Sequence, residues 1–87
     1  MGRLKTTRPT ETLRRLGRWA CGSVGQLEAL AGVNVQNEDE RRALWGQFAH
    51  LYSGDKRVLL DTVMDHCAAI ALRRINRGEL CLLPSRY

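Results

Sequence analysis

The sequence predicts an all-α fold, a small bundle of about four helices with a long C-terminal helix and a short apolar tail. The two prolines of the 87 residues stand at positions 9 and 84, so the stretch between them has no proline to break a helix. Apolar residues recur at helical spacing in four segments, each bounded by glycine or by residues that favour helix caps. The length corresponds to one domain, which we expect at 9–87 after a flexible basic arm at 1–8.

The first helix is predicted from Pro9 to about Ala20, ending at the Cys-Gly-Ser stretch that follows. Proline suits a first helical turn because the N–H that it lacks would have no partner there, and Arg8 or Thr10 can serve as the N-cap. Its apolar arc is narrow and consists of Leu13, Leu16, Ala20 and, at one edge, Trp19. A tryptophan at such an edge more commonly packs in the core, although it could also stack on a nucleic-acid base.

A short second helix is predicted over 24–31, with Gly32 as its end. Its inward residues are expected to be Val24, Leu27, Leu30 and Ala31. The third helix has a clear start, because Asn37 and Glu40 have the spacing of a capping box and acidic residues fill the first turn. The predicted apolar face of this helix consists of Leu44, Trp45, Phe48, Ala49, Leu51 and Tyr52.

The fourth helix is predicted from Lys56 to Arg77, between a Ser-Gly-Asp break and a stop at Gly78. At its length of roughly 33 Å it should be the central strut of the domain. Its apolar arc is wider than one neighbouring helix needs, so either several helices wrap it or a second copy covers part of it. The candidate interaction or dimer residues are therefore Leu59, Val63 and Ile70 of this arc and Leu80, Leu82 and Leu83 of the apolar tail.

The charge is distributed unevenly along the chain, and arginine outnumbers lysine by twelve to two. Residues 1–18 carry a net charge of +5, residues 19–55 of −3 and residues 56–87 of +3. Basic ends favour an anionic partner, and arginine suits bidentate contact with phosphate or carboxylate; solubility alone and a GC-rich genome are the alternative explanations. The candidate residues for binding nucleic acid or another partner are Arg3, Lys5, Arg8, Arg14, Arg15, Arg18, Arg73, Arg74 and Arg77. No base-reading motif is visible, so contacts to the phosphate backbone should dominate.

No constellation of residues indicates catalysis, a metal site, a cofactor or a small-molecule substrate. The three cysteines are widely spaced without a C-x-x-C pair, which favours reduced thiols in a cytoplasm. Asp65, His66 and Cys67 are consecutive helical residues that point about 100° apart, so they cannot converge on a substrate. Asp61 and Asp65 are expected on a solvated face, His50 on the surface and His66 half-buried. No apolar run reaches the roughly 20 residues that a bilayer span needs.

The segment RPTETLRRLGRWA, from Arg8 to Ala20, resembles the start of phage Q-type antitermination proteins. Those proteins often begin with a Pro-Thr-Glu stretch that leads to a helix carrying a Trp-Gly-x-Trp-like element, and Leu16-Gly17-Arg18-Trp19 stands in that place here. The resemblance covers about 13 of the 87 residues, and the helix-turn-helix of that family is not found after Leu59. It implies a small phage or prophage regulator that acts on transcription.

The sequence thus leaves two interpretations. The first is a small basic non-enzymatic regulator, derived from a phage, that acts on nucleic acid or a transcription complex through its N-terminal arginines. The alternative is a helical protein–protein interaction module, which forms a homodimer or inhibits a host protein through apolar residues of the long helix or the tail.

Overall fold

The computed structural model describes residues 7–81, which form an all-α bundle. Its helices are α1 (Pro9–Leu16), α2 (Val24–Leu30), α3 (Glu38–Gly46) and α4 (Lys56–Asn76). Two 3-10 turns, at Arg18–Cys21 and Ala49–Leu51, follow α1 and α3. The described part of the chain contains no strand. The predicted fold class, with about four helices and a long fourth helix, is confirmed.

The long helix α4 is the centre of the bundle, because both α1 and α2 pack against it. Its start is capped by Asp55, whose Oδ1 accepts a hydrogen bond of 3.0 Å from the backbone N–H of Arg57. The buried apolar core consists of Leu13, Ala20, Leu27, Leu44, Val63, Cys67, Ala68 and Ala71. Helix α4 supplies half of these residues, as its role as a central strut requires.

The wide apolar arc of α4 is partly covered by helices of the same chain. Val63, predicted as an interaction residue, is fully buried in the core, so that assignment to an accessible surface is wrong. Leu59, Ile70 and Leu80 are half-buried. Leu82 and Leu83 lie outside the described residues.

The first predicted helix is shorter than expected. The N–H of Gly17 donates to the carbonyl of Leu13 at 2.9 Å, which closes the last turn of α1, and the chain then turns into the 3-10 segment. Glycine has the poorest helix propensity after proline, which explains a break at this position. The break rotates the residues that follow. Ala20 still reaches the core, whereas Trp19 is 49% exposed. Leu16, the last residue of α1 before the break, is 55% exposed, so neither Leu16 nor Trp19 joins the apolar arc.

Helix α3 begins as predicted and ends early. The Oδ1 atom of Asn37 accepts from the N–H groups of Asp39 and Glu40 at 2.9 and 3.2 Å. The carboxylate of Glu40 accepts instead from the N–H of Asn34 at 2.9 Å, so the reciprocal half of the capping box is absent. The helix ends at Gly46, and Tyr52, predicted on its apolar face, is exposed.

Helices α2 and α4 end in the same hydrogen-bond arrangement, the Schellman motif. After α2, Val33 N–H donates to Glu28 O at 2.9 Å and Gly32 N–H to Ala29 O at 3.0 Å. After α4, Glu79 N–H donates to Arg74 O at 2.8 Å and Gly78 N–H to Ile75 O at 3.0 Å. The two glycines have positive φ angles of 93° and 77°, which the motif requires, so both predicted stops are confirmed.

Candidate nucleic-acid interface

Three arginines at the end of α1 lie together on the surface, and we call Arg14, Arg15 and Arg18 the arginine face. With Glu11 they line an open depression of about 220 Å³. Helix α1 supplies Glu11, Arg14 and Arg15, and the 3-10 turn adds Arg18. The depression is smaller than the ~300–1,000 Å³ of pockets that enclose a small ligand. Its openness and charge favour contact with part of a larger anionic molecule.

The guanidinium groups of the arginine face are not used by the fold. All three residues are exposed, and in residues 7–81 none of them forms an ion pair. The residues that line the depression carry three positive charges and one negative charge. Arg14 and Arg15 also complement the negative end of the α1 dipole, but this interaction leaves their N–H donors free for another acceptor. The arginine face can therefore donate to phosphate or carboxylate oxygens.

Arg8 does not belong to this free surface. Its Nε donates to Oδ2 of Asp65 at 3.0 Å, and its Nη2 lies 3.9 Å from Oδ1 of Asp61. The hydroxyl of the buried Thr10 donates to Oδ1 of the same Asp65 at 3.0 Å. The hydrogen bond to Asp65, and its charge, raise the pKa of Arg8.

These contacts tie the start of α1 to the middle of α4 and correct two expectations. Arg8 is occupied within the molecule because α1 packs directly over the acidic side of α4. For the same reason Asp65 is half-buried instead of solvated. Arg3 and Lys5, the other basic residues of the predicted flexible arm, lie outside the described residues.

The three arginines at the end of α4 have three different environments. Arg74 donates from Nη1 to the carbonyl of Leu30 at 2.6 Å and so joins the end of α4 to the end of α2. Arg77 lies 3.7 Å from the carboxylate of Glu79 in an exposed ion pair. Arg73 is exposed and has no ion pair between Thr7 and Cys81. The predicted second binding cluster is therefore not one surface, since Arg74 has a structural role.

Two apolar side chains stand beside the arginine face. Leu16 follows Arg15, and Trp19 follows Arg18 along the chain, and both are about half exposed. The exposure of both residues contradicts their expected place in the apolar arc, and Trp19 stands after the break at Gly17, whereas Leu16 belongs to α1 itself. Exposed cationic and exposed apolar residues are thus neighbours in the chain at the end of α1.

A buried carboxylate that the sequence reasoning missed lies between α2 and α3. Glu28 is 0% exposed, and its oxygens accept from Nε of Arg41 at 3.1 and 3.3 Å and from the indole N–H of Trp45 at 2.8 Å, while Nη2 of Arg41 lies 3.0 Å from Oε1 in the same ion pair. A signal was available, because Glu28 is four residues after Val24 and three before Ala31, inside the inward arc of the second helix. Its hydrogen bonds attach α3 to α2.

Cys67, Cys21 and His66 are at least half-buried, whereas Cys81 and His50 are exposed. Burial, with a smaller contribution from the charge of Glu28, raises the pKa of Cys67 to about 11. Burial also raises the pKa of Cys21, against an opposing effect of Arg14. All three cysteines are free. His66 packs against Phe48 with ring centroids 5.1 Å apart, and His50 is exposed, as expected.

Two further findings concern metal and membrane. In the described range, no group of three or more His, Cys, Asp or Glu side chains is placed to hold a metal ion. None of the helices between residues 7 and 81 has the length and apolar character to cross a bilayer.

Comparison of the chain with protein-family models, with curated proteins and with solved structures found no match. Function is inferred below from the charge and geometry of the arginine face.

Proposed function

We propose that this protein is a small non-enzymatic regulator that binds nucleic acid through the arginine face, alone or within a transcription complex. The observation that carries the proposal is the exposure of Arg14, Arg15 and Arg18 around one depression without ion pairs among the described residues. Arginines that hold a fold together are occupied, as Arg8 and Arg74 are here. Arg14, Arg15 and Arg18 form no such contact within residues 7–81 and can therefore bind an anion from outside the molecule.

Phosphate is the anion that this surface fits best. A guanidinium presents its donors as a planar fork that matches two phosphate oxygens, and neighbouring forks can follow successive phosphates of a backbone. Such contacts release condensed counterions, so the affinity falls as the salt concentration rises. Three contacts correspond to a slope of log K against log salt of about −2 to −3.

The test is a triple variant in which Arg14, Arg15 and Arg18 are replaced by Glu. Binding to a labelled mixed-sequence oligonucleotide is measured by fluorescence anisotropy over a series of salt concentrations. We expect the wild type to bind with the slope given above and the variant to lose binding. The fold should survive, because the three side chains are exposed and make no ion pair within residues 7–81; circular dichroism checks this.

A matched control distinguishes an effect of the arginine face on binding from an effect of the total charge. Replacing Arg42, Lys56 and Arg57 by Glu changes the total charge by the same amount at exposed positions outside the depression. The control variant should retain most of the affinity. Equal losses in the two triple variants would mean that only the net charge matters, and unchanged binding in the first variant would end the proposal.

The exposed apolar residues near the start of α4 favour a second candidate, the protein–protein interaction module. Tyr52 and Val58 are both nearly half exposed, and the neighbouring Leu59 is half-buried. Through this surface the chain would form a homodimer or bind a host protein. Light scattering at high micromolar concentration tests the homodimer: a dimer mass that shifts to monomer on Val58→Glu and is insensitive to salt supports it, and a monomer mass throughout contradicts it.

The phage or prophage origin implied by the resemblance of Arg8–Ala20 stays a prediction. So does a direct action on transcription, for which the resemblance is the support.

A further inference from the structure

We infer that the nucleic acid bound by the arginine face is single-stranded, and that the indole ring of Trp19 stacks on one of its unpaired bases. The inference rests on the proposed function and narrows it to one class of ligand. It depends on the position and exposure of Trp19, which the proposed function does not use.

Trp19 is exposed although residues before and after it in the chain are buried in the core. Ala20, the next residue, is buried, and so is Leu13 in the preceding helix. The chain therefore packs on both sides of Trp19 while about half of the side chain stays open. The second tryptophan differs, since Trp45 is half-buried and donates its N–H to Glu28. A large aromatic face left open beside cations is a platform available for stacking.

Trp19 does not line the depression itself but follows one of the residues that do. Its Cα lies about 3.8 Å from that of Arg18, the residue that the 3-10 turn contributes to the depression. A strand with a phosphate on Arg18 would turn one of its bases toward Trp19 to stack on the ring. Leu16, the last residue of α1, is 55% exposed as well.

The preference for a single strand follows from which base faces the indole ring can reach. In a duplex the faces of the bases are covered by their neighbours, so an aromatic side chain gains stacking only by forcing a base step apart. An unpaired base offers its face at no such cost, and each stacked base contributes enough to change affinity by about tenfold or more. The contact is tolerant of sequence because every base has a π face, which agrees with the absence of a base-reading motif.

The experiment compares four ligands of equal length with the full chain: single-stranded RNA, single-stranded DNA, the matching DNA duplex and an abasic DNA strand. Fluorescence anisotropy is measured for the wild type and for Trp19→Ala and Trp19→Phe. Tyr52→Ala is the matched control, because Tyr52 is 47% exposed and stands between the second 3-10 turn and α4, away from the arginines in the chain. Thermal unfolding by circular dichroism verifies that each variant folds.

We expect both base-bearing single strands to bind about tenfold more tightly than the abasic strand, and more tightly than the duplex. Trp19→Ala should weaken their binding by about tenfold, Trp19→Phe by much less and Tyr52→Ala not at all. On the abasic strand, wild type and Trp19→Ala should bind equally, since no base is present to stack.

Three outcomes would overturn the inference: stronger binding to the duplex, equal binding of Trp19→Ala and wild type to base-bearing strands, or an equal effect of Trp19→Ala on the abasic strand. The proposed function is judged separately by measuring the triple arginine variant on the same four ligands. If the triple arginine variant loses binding to all four ligands while Trp19→Ala has no effect, the proposed function stands and the stacking inference fails. If the triple arginine variant binds like the wild type, both fail.

Discussion

The indole Nε1 of Trp45 donates a hydrogen bond of 2.8 Å to Oε2 of the fully buried Glu28. This bond joins α3 to α2, and Arg41, one turn before Trp45 in α3, donates from Nε to both oxygens of the same carboxylate and forms an ion pair with it. A buried carboxylate is tolerated only when its charge and its lone pairs are satisfied, so the position of α3 depends on these contacts.

The first prediction is that removing Arg41 costs more stability than neutralising Glu28. Arg41→Ala should lower the free energy of unfolding by about 3 kcal/mol, because it leaves the Glu28 charge buried with one donor. Glu28→Gln should cost about 1–2 kcal/mol, since Arg41 is partly exposed and can turn to water. Urea unfolding followed by circular dichroism measures both.

Arg42→Ala is the control for this pair of variants. The ion pair of Arg42 with Asp39 is highly exposed on both sides, so its loss should change the stability by less than about 1 kcal/mol. A larger cost for Glu28→Gln than for Arg41→Ala would contradict the role assigned to the buried charge.

The second prediction concerns the contact between α1 and α4. Thr10→Val should lower the free energy of unfolding by about 1 kcal/mol, because it removes a hydrogen bond from a buried position and leaves an oxygen of Asp65 with one donor fewer. Thr62→Val is the control. Its hydroxyl donates to the Val58 carbonyl four residues earlier in the same helix, a bond that adds little stability. Equal stability of the two variants would refute a specific role for Thr10.

The third prediction separates two neighbouring arginines. Arg74→Gln should destabilise the fold by about 1.5 kcal/mol, because its guanidinium no longer donates to the Leu30 carbonyl. Arg73→Gln should leave the stability within about 0.5 kcal/mol, since Arg73 is exposed. Thermal or urea unfolding of the two variants decides the matter. A similar midpoint for both would show that the contact between α2 and α4 does not depend on Arg74.

The fourth prediction is a loss of stability at alkaline pH that depends on Cys67. The folded pKa of about 11 exceeds the ordinary value of 9.0. Between these values the unfolded chain releases the thiol proton while the folded chain retains it, so the contribution of Cys67 to stability is intact below pH 9 and declines as the pH rises to about 11. In Cys67→Ala the free energy of unfolding should decline less over this range, because the thiol is gone. Some decline should remain, because other groups titrate there as well.

The burial of each thiol predicts how fast it reacts with an aromatic disulfide reagent at pH 7.5. The exposed Cys81 should react first, the half-buried Cys21 more slowly, and Cys67 only when the protein unfolds. Rapid reaction of Cys67 in the native protein, or identical pH profiles for the wild type and Cys67→Ala, would count against its burial.

The fifth prediction compares two glycines that both have open space around the position of a Cβ atom. Gly54 has a φ of +91°, so Gly54→Ala should destabilise the protein by about 1 kcal/mol through backbone strain. Gly46 is the last residue of α3, and Gly46→Ala should stabilise the protein by up to about 1 kcal/mol, because alanine favours the helix. Melting temperatures that shift in the same direction would contradict this account.

The helix boundaries that could be predicted are those whose signals are local. Asn37 and Asp55 bond to N–H groups within three residues, and Gly32 and Gly78 close turns with residues just before them. Such bonds depend on neighbouring residues alone, so the pattern of residue types was enough. The end of α1 was missed because the apolar spacing continues through Gly17, although the helix does not.

The candidate site was predicted in part for the same physical reason. The sequence by itself determined that Arg14, Arg15 and Arg18 share one side of the chain near the end of α1, together with the excess of positive charge at that end. Only the tertiary structure decided which arginines stay available. Arg8 meets an aspartate 57 residues away, and Arg74 meets a carbonyl 44 residues away. Pairing over such separations is set by how the helices pack, which residue spacing does not encode.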